Sequence, residues 1–213
     1  MPLTLDQAAQ LMNRDLEQFL NRCPLSISSA GQKKGTVKFY LYSLGDTAYG
    51  INQGVRMNEM RLRLSTTALS SNAKAVQCIH IPVSQFEQLK PESISKVTHY
   101  DAADFLVTTQ LTGCTFAIRK AKGGGLEFLH VQPNGDFDGS KIQKAIKTEF
   151  QVSFGKGDGS NASTYGNNTR VTVLGQRRNN FWKVYAQYQD ANGNVTGVDC
   201  IYEEANSAVA YVD

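Results

Sequence analysis

The sequence lacks several features by which whole classes of protein are recognised. No stretch approaches the roughly 18 consecutive apolar residues of a membrane-spanning helix, and the N-terminus MPLTLDQAAQ has no basic segment followed by a long apolar run. We therefore expect neither a membrane segment nor a cleavable signal peptide. The 22 basic and 19 acidic residues give a net charge of only +3, which does not favour nucleic-acid binding.

Cysteine and histidine are also scarce. No Cys-x-x-Cys pair is present, so a zinc ribbon is not expected, and the wide spacing is unlike that of a small disulfide scaffold. Reduced thiols are therefore expected. A metal site at Cys78 and His80 with His99 would need a further ligand and an unusual spacing, so a buried strand is favoured there and no cofactor is expected. The four cysteines are Cys23, Cys78, Cys114 and Cys200.

The composition is typical of a globular protein with an extensive core, because 41% of the 213 residues are hydrophobic and 19% are charged. Residues 4–22 are predicted to be helical, with a capping box between Thr4 and Gln7. A short helix is predicted at 84–89, and a helix capped by Asp138 at 139–150. A loop rich in Gly, Asn and Ser is predicted at 155–168; it lacks the residue order of a phosphate-binding loop.

Period-two patterns predict strands along most of the remaining chain. These strands cover 36–44, 59–65, 76–81, 114–120, 126–132, 170–175, 180–189 and 195–202. The Asn192-Gly193 step predicts a hairpin between the last two. We expect an α+β fold in one catalytic domain, residues 1–213: a monomeric β-sandwich of mixed, mostly antiparallel sheets flanked by helices.

The segment TTQLTGCTFAIRKAKGGGLEFLHVQP, residues 108–133, carries the strongest indication of chemistry. If residue 123 is the centre of the glycine-rich turn, Phe116 faces His130 and Cys114 faces Gln132. Cys114 and His130 are then diagonal neighbours on one apolar face, with Cβ atoms at most about 7–8 Å apart. A register shift of one residue would place them on opposite faces.

This pairing suits nucleophilic catalysis. An imidazolium beside a thiol lowers the pKa of the thiol, and the thiolate attacks an amide carbon while the imidazolium protonates the leaving nitrogen. Gly113 leaves room for a substrate carbonyl, and backbone N–H groups around Cys114 would receive its negative charge. Thr108 offers a carbonyl or a hydroxyl to orient the imidazole. The alternative is that both side chains simply pack in the core.

The motif Leu111-Thr112-Gly113-Cys114 resembles the Leu-Ser-Gly-Cys motif of the family that contains the catalytic domain of cytotoxic necrotizing factor and Burkholderia lethal factor. The resemblance to the latter also takes in LKPESIS (89–95), Thr108, His130 and STYG (163–166). The sequence departs from the family in having Thr112 where Ser is usual, and in a longer segment between the cysteine and the histidine.

These toxins are glutamine deamidases, and the resemblance implies the same reaction here. It implies that Cys114 is the nucleophile, His130 the base and Thr108 the group that orients His130, through its backbone carbonyl. It further implies that Tyr165 borders the site and binds substrate with Gly113. A bacterial protein delivered to the host cytosol is implied, with a host protein as substrate: a Rho-family GTPase or a translation-initiation helicase.

Two other functions remain open at this point. A thiol protease or transglutaminase would share the acyl-enzyme intermediate. A β-rich module that binds protein or carbohydrate without catalysis would use Cys114 only for packing. Rapid, pH-insensitive alkylation of Cys114 would favour catalysis.

Overall fold

Two β-sheets pack against each other in a computed structural model that describes residues 3–29, 33–46, 61–134, 139–157, 164–167 and 169–204. Its helices are α1 (Leu5–Arg14), α2 (Leu16–Arg22) and α3 (Gly139–Ile146). The strands are β1 (Leu25–Ser28), β2 (Gly35–Ser43), β3 (Leu62–Ser65), β4 (Lys74–Ile81), β5 (Val83–Gln85), β6 (Ser95–Val97), β7 (Phe105–Thr108), β8 (Thr115–Lys120), β9 (Leu126–Gln132), β10 (Val152–Lys156), β11 (Thr164–Tyr165), β12 (Arg170–Arg178), β13 (Phe181–Gln189) and β14 (Val195–Glu203).

We name the two sheets by their strands. Sheet A has the order β1-β3-β2-β4-β7-β12-β13-β14, and sheet B has the order β11-β10-β8-β9-β5, with β6 also paired to β9. Antiparallel pairs outnumber the four parallel pairs, which are β1–β3, β4–β7, β5–β9 and β10–β11. The predicted α+β fold of mixed, mostly antiparallel sheets flanked by helices is confirmed.

The core has three parts, which follow from the alternation of side chains along the strands. One face of sheet A buries Phe105 and Val107 against α1 and α2. The other face packs Leu106 against Phe116 and Phe128 of sheet B. The outer face of sheet B is covered by α3. Thr108 and His130 therefore both point into the layer between the sheets.

The N-terminal segment forms two helices where a single helix was predicted. The capping box of Thr4 and Gln7 is present as predicted, with both side chains bonded to the other residue's backbone N–H. Asp15 has an extended backbone, and its carboxylate accepts a hydrogen bond from the N–H of Gln18. It therefore ends α1 and caps α2, because aspartate at such a position competes with a continuous helix.

Several boundaries and short elements differ from the sequence prediction. Residues 86–88 form only a 3₁₀ turn, and α3 ends at Ile146. The predicted loop at 155–168 is interrupted by the end of β10 and by β11. Parts of three predictions lie outside the described residues: the start of the strand at 59–60, the helix cap at 138, and the loop at 158–163 and 168. The pattern missed β1, β5, β6, β7, β10 and β11, which have at most five residues each.

The β8–β9 hairpin has the predicted register, with Phe116 opposite His130. Its turn contains three consecutive glycines with positive φ, namely 86° at Gly123, 98° at Gly124 and 82° at Gly125, a conformation that other residues adopt rarely. A Cβ on Gly125 would lie 2.3 Å from the carbonyl oxygen of Val97. Glycine at this position thus lets the hairpin lie against β6. Among the described residues no helix has the length and apolar character to cross a membrane.

Candidate active site

Thr108 and His130 meet between the two sheets. Thr108 is the last residue of β7, and its neighbour in β4 is Ile81. His130 lies in β9, flanked by Phe116 of β8 and Val83 of β5. Cys114 immediately precedes β8 and packs against the same apolar cluster as Phe116. The structure therefore joins Thr108 to His130, and the β8–β9 register places Cys114 diagonally from His130 on the same face of the hairpin.

The environment of His130 is apolar and closed. Its side chain is completely buried, and its ring meets that of Phe116 edge-on at 6.5 Å between centroids. A polar group at such a position is costly to bury unless it is hydrogen-bonded. Within the described residues, the only hydrogen bond of the ring joins its Nδ1 to Thr108 Oγ1.

The hydrogen bonds of Thr108 fix the tautomer of His130. The Thr108 Oγ1 atom donates to the carbonyl oxygen of Ile81 at 2.8 Å and lies 2.5 Å from His130 Nδ1. A hydroxyl has one proton, and a carbonyl oxygen can only accept. The Thr108 proton is therefore used by Ile81, and Nδ1 of His130 must donate to Thr108. The remaining ring nitrogen, Nε2, then carries a lone pair.

The predicted contact through the Thr108 backbone carbonyl is wrong, because the hydroxyl makes the contact. Thr108 pairs in parallel with β4 and faces sheet B with its side chain. The side chain, directed across the layer between the sheets, is therefore the group that reaches the imidazole.

The Nε2 atom of His130 is buried and has no hydrogen-bond partner among the described residues. It is not hydrogen-bonded to Cys114 Sγ in this structure. A buried nitrogen with a lone pair and no donor is costly, and by the β8–β9 register the Cys114 thiol belongs to the same face of the hairpin. Proton transfer between the two requires the Cys114 side chain to turn toward Nε2.

Cys114 is partly buried. Burial raises the pKa of its thiol to about 11, against the opposing effect of hydrogen bonds from the backbone of Thr112 and Gly113. Burial, and then the charge of His80, lowers the pKa of His130 from 6.5 to about 3. Both groups are therefore neutral at pH 7. The expected imidazolium, which would have lowered the pKa of the thiol, is not present in this state.

Tyr165 lies at the site, as expected. Its hydroxyl donates to the backbone carbonyl of Cys114 at 2.8 Å, and its ring packs on Phe154 at 5.6 Å. Burial raises the pKa of Tyr165 well above its ordinary value, so the phenol stays protonated and can donate. Among the described residues, only Pro133 has an atom within 4 Å of a Cβ added to Gly113, namely its Cγ at 3.8 Å. A substrate group can therefore approach the backbone there.

The alternative metal site receives no support from the described residues. No group of three His, Cys, Asp or Glu side chains suited to a metal occurs among them. Cys78 is buried in β4, and His80 Nδ1 is hydrogen-bonded to the carbonyl of Lys33. All four cysteines are free, in agreement with the expected reduced thiols.

Two parts of the site were not recognised in the sequence. The first is the carbonyl of Ile81, which decides the direction of both hydrogen bonds of Thr108. No local sequence signal marks this contact, because the two residues are 27 positions apart in the chain. The second is the pair of backbone groups at Thr112 and Gly113 that are bonded to Cys114 and favour its thiolate.

No protein-family model matches the chain, and no curated protein matches it either. The resemblance to the toxin deamidases therefore rests on the residues quoted above.

Proposed function

We propose that the protein is a glutamine deamidase that acts on a protein substrate, with Cys114 as nucleophile and His130 as base. The observation that carries the proposal is the direction of the hydrogen bonds at Thr108. Because Ile81 uses the hydroxyl proton, His130 is held with Nδ1 protonated and Nε2 basic and unpartnered. A histidine oriented in this way by a third group is what a Cys-His nucleophile requires.

The first half of the reaction forms a thioester. The sulfur of Cys114 bonds to the carboxamide carbon of a substrate glutamine while its proton passes to Nε2 of His130. The pKa of Cys114 is about 11 and that of His130 is about 3, so a preformed ion pair is disfavoured. Proton transfer therefore accompanies the attack. The C–N bond then breaks as Nε2 returns the proton to the leaving nitrogen, and ammonia departs.

The second half hydrolyses the thioester. Water loses a proton to Nε2 as its oxygen bonds to the acyl carbon. The C–S bond breaks, and the proton passes to the sulfur, which restores the thiol and leaves glutamate in the substrate. The backbone groups of Thr112 and Gly113 that favour negative charge on sulfur are placed to stabilise this step as well. The reaction as written needs only water as co-substrate.

The resemblance of the Leu111–Cys114 motif supports glutamine rather than a peptide bond as the target. It also supports a bacterial protein that reaches the host cytosol and modifies a host protein, of the Rho-family GTPase or translation-initiation helicase type. A transglutaminase would differ only in an amine that intercepts the thioester in place of water.

The test is conversion of glutamine to glutamate in a host-cell lysate, followed by peptide mass spectrometry. We expect Cys114→Ser to abolish conversion with little change in melting temperature, because the substitution nearly conserves volume. His130→Ala should give a similar loss, and the double variant should be hardly worse, since the two residues act as a unit.

Cys200→Ser is the matched control, because Cys200 is an exposed free thiol on β14. It should convert glutamine at the wild-type rate. Substantial conversion by well-folded Cys114→Ser would remove Cys114 from the role of nucleophile. Absence of any modified peptide, together with a large fall in melting temperature on Cys114→Ser, would favour the alternative in which the thiol only packs.

A further inference from the structure

Lys156 is the last residue of β10, the strand that pairs with β8 on the side opposite His130. The antiparallel pairing joins Phe154 to Phe116 and Gly155 to Thr115. The next position in the same register places Lys156 opposite Cys114. Because neighbouring strands lie about 4.8 Å apart, this lysine is next to the proposed nucleophile.

A second observation places Lys156 at the same point independently of the register. A Cβ built on Gly139 would lie 2.8 Å from Cβ of Lys156 and 2.9 Å from the carbonyl oxygen of Gly113. Both atoms therefore lie within 3 Å of one point. Gly139 therefore packs against both Lys156 and Gly113, the residue before Cys114, and the lysine lies at the end of the Leu111–Cys114 motif.

The backbone of Lys156 is held on both sides. A Cβ on Gly155 would lie 2.5 Å from Thr115 Oγ1, and a Cβ on Gly157 would lie 2.7 Å from Thr164 Cγ2. The two glycines thus allow β8 and β11 to approach closely. Lys156 also pairs with Tyr165, whose hydroxyl bonds to the Cys114 carbonyl. The lysine is the single side chain that this Gly-Lys-Gly segment presents, and its backbone is held by the pairing with Tyr165.

The charge of Lys156 is not balanced by the neighbours described above. Within the described part of the chain Lys156 makes no ion pair, and the residues that surround its backbone are Gly139, Gly113, Thr115 and Tyr165. None of these is negatively charged at neutral pH. This partly exposed cation next to the Cys114 thiol has no anionic partner among the described residues, so it is available to an anionic group supplied by the substrate.

We propose that Lys156 selects an acidic side chain close to the target glutamine, so that the preferred substrate is an acidic segment of a protein. This inference rests on the proposed deamidase function. A bound segment advances at most about 3.6 Å per residue, and the lysine side chain is long and flexible. A carboxylate one or two residues from the glutamine is then within its reach.

The first test measures the charge at Cys114 without any substrate. Cys114 is alkylated with anionic iodoacetate or with neutral iodoacetamide at one mildly alkaline pH and low salt, and the rates are followed by peptide mass spectrometry. The ratio of the two rates cancels any change in the pKa of the thiol. A charge several ångströms away changes the rate of the anionic reagent by about three- to tenfold in a partly exposed site.

We expect the iodoacetate-to-iodoacetamide ratio to fall about three- to tenfold in Lys156→Gln and further in Lys156→Glu. Salt should weaken the difference. Lys120→Gln is the matched control, because Lys120 ends β8 six residues from Cys114, about 20 Å away. Its ratio should equal that of the wild type. An unchanged ratio in both Lys156 variants, with unchanged melting temperatures, would overturn the proposal.

The second test uses two synthetic peptides that differ only in a Glu or a Lys two residues after the glutamine. The wild-type enzyme should deamidate the Glu peptide with the higher kcat/KM, and Lys156→Glu should reverse the order. Equal kcat/KM for both peptides in wild type and variant would overturn the selection of acidic substrates. If neither peptide nor any lysate protein is deamidated although the alkylation ratio shifts, the deamidase function fails while the anion preference at Cys114 stands.

Discussion

Thr108 holds one hydroxyl group between the Ile81 carbonyl, which can only accept a proton, and the His130 ring, which then has to donate one. Thr108 is a positioning residue in this arrangement, since it reaches the reaction only through His130. Its loss would leave two buried polar groups, the Ile81 carbonyl and Nδ1 of His130, without this partner. Each such group costs about 1–3 kcal/mol.

We therefore predict that Thr108→Val lowers both the free energy of unfolding, by about 2 kcal/mol or more, and the kcat/KM of the folded fraction, at least tenfold. Thr108→Ser keeps the hydroxyl and should restore most of the activity. The measurements are urea unfolding, glutamine conversion, and the tautomer of His130 by nitrogen NMR. Wild-type activity and an unchanged tautomer in Thr108→Val would show that the hydroxyl does not orient the ring.

A second prediction concerns the reactivity of Cys114 with iodoacetamide. Because burial raises the pKa of the thiol to about 11, the thiolate fraction is small at pH 7 and rises about tenfold per pH unit up to that value. Alkylation should be slow at pH 7 and should increase in this way. This differs from the rapid, pH-insensitive reaction expected for a preformed thiolate, because the proposed mechanism transfers the thiol proton during the attack and needs no resting thiolate.

The reaction of Cys114 must be resolved from that of exposed Cys200 by peptide mapping. A fast rate at Cys114 that stays level between pH 6 and pH 9 would show a thiolate–imidazolium pair in the resting protein, in contradiction to the neutral pair described here. The same outcome would also require the pKa of His130 to lie far above about 3.

The sequence predicted the residues of the candidate site better than it predicted which of their atoms make the contacts. Cys114 and His130 follow from one local hairpin, whose register depends on a turn of glycines between two apolar strands. The Thr108 contact runs between two different sheets, and no local periodicity specifies how one sheet is oriented on another. The hydroxyl therefore could not be distinguished from the carbonyl before the sheets were seen together.

The β8–β9 hairpin fixes the register of Cys114 and His130, the proposed nucleophile and base, and its turn is built from glycines. Gly125 needs both a positive φ and the absence of a Cβ, because of the Val97 carbonyl oxygen at 2.3 Å. Gly123 has a similar φ of 86°, but an added Cβ would have nothing within 4 Å. A side chain at Gly123 would therefore meet only backbone strain, whereas a side chain at Gly125 would meet both backbone strain and a steric clash.

We predict that Gly123→Ala costs about 1–2 kcal/mol, the strain of a left-handed conformation. Gly125→Ala should cost clearly more, because the added methyl also displaces β6 from the hairpin. Chemical unfolding of the two variants measures the difference. Equal losses would mean that the contact with Val97 is relieved without cost and that β6 does not constrain the turn.

Longer elements with a clear period were predicted and short buried ones were not. Strands β2 and β13 have nine residues each, and buried and less buried positions alternate over part of each strand. By contrast, β7 is the four-residue run FLVT with every side chain buried. Such a run has no polar positions that reveal a period of two. The break at Asp15 was hidden as well, because apolar residues continue at helical spacing on both sides of it.

The layered arrangement of helices and two sheets places two histidines in the interior without charge. Burial lowers the pKa of both His130 and His80 below 6.5, in His130 to about 3. In the unfolded chain each takes up a proton near pH 6.5, whereas the folded protein does so only at lower pH. The stability that these neutral rings contribute is therefore present above pH 6.5 and is lost as the pH falls toward 3.

We predict that the free energy of unfolding decreases between pH 7 and pH 5, with a slope approaching about 1.4 kcal/mol per pH unit from His130 and a further contribution of the same sign from His80. Urea unfolding at several pH values measures this slope. His130→Gln removes one of the protons that are taken up on unfolding, so it should reduce the slope of the free energy of unfolding against pH. This holds whatever its effect on stability at pH 7. A slope that is identical in wild type and His130→Gln would show that His130 titrates normally in the folded protein.

The layer between the sheets also has a consequence for the order of events during folding. The chain that carries Ile81 and Thr108 belongs to sheet A, and the hairpin that carries Cys114 and His130 belongs to sheet B. Neither sheet alone holds a complete set of these groups. An intermediate with one finished sheet, or with both sheets formed but not docked, has no oriented histidine. During refolding, activity should therefore return last, after secondary structure, because closing long-range contacts is the slow step in β-rich proteins.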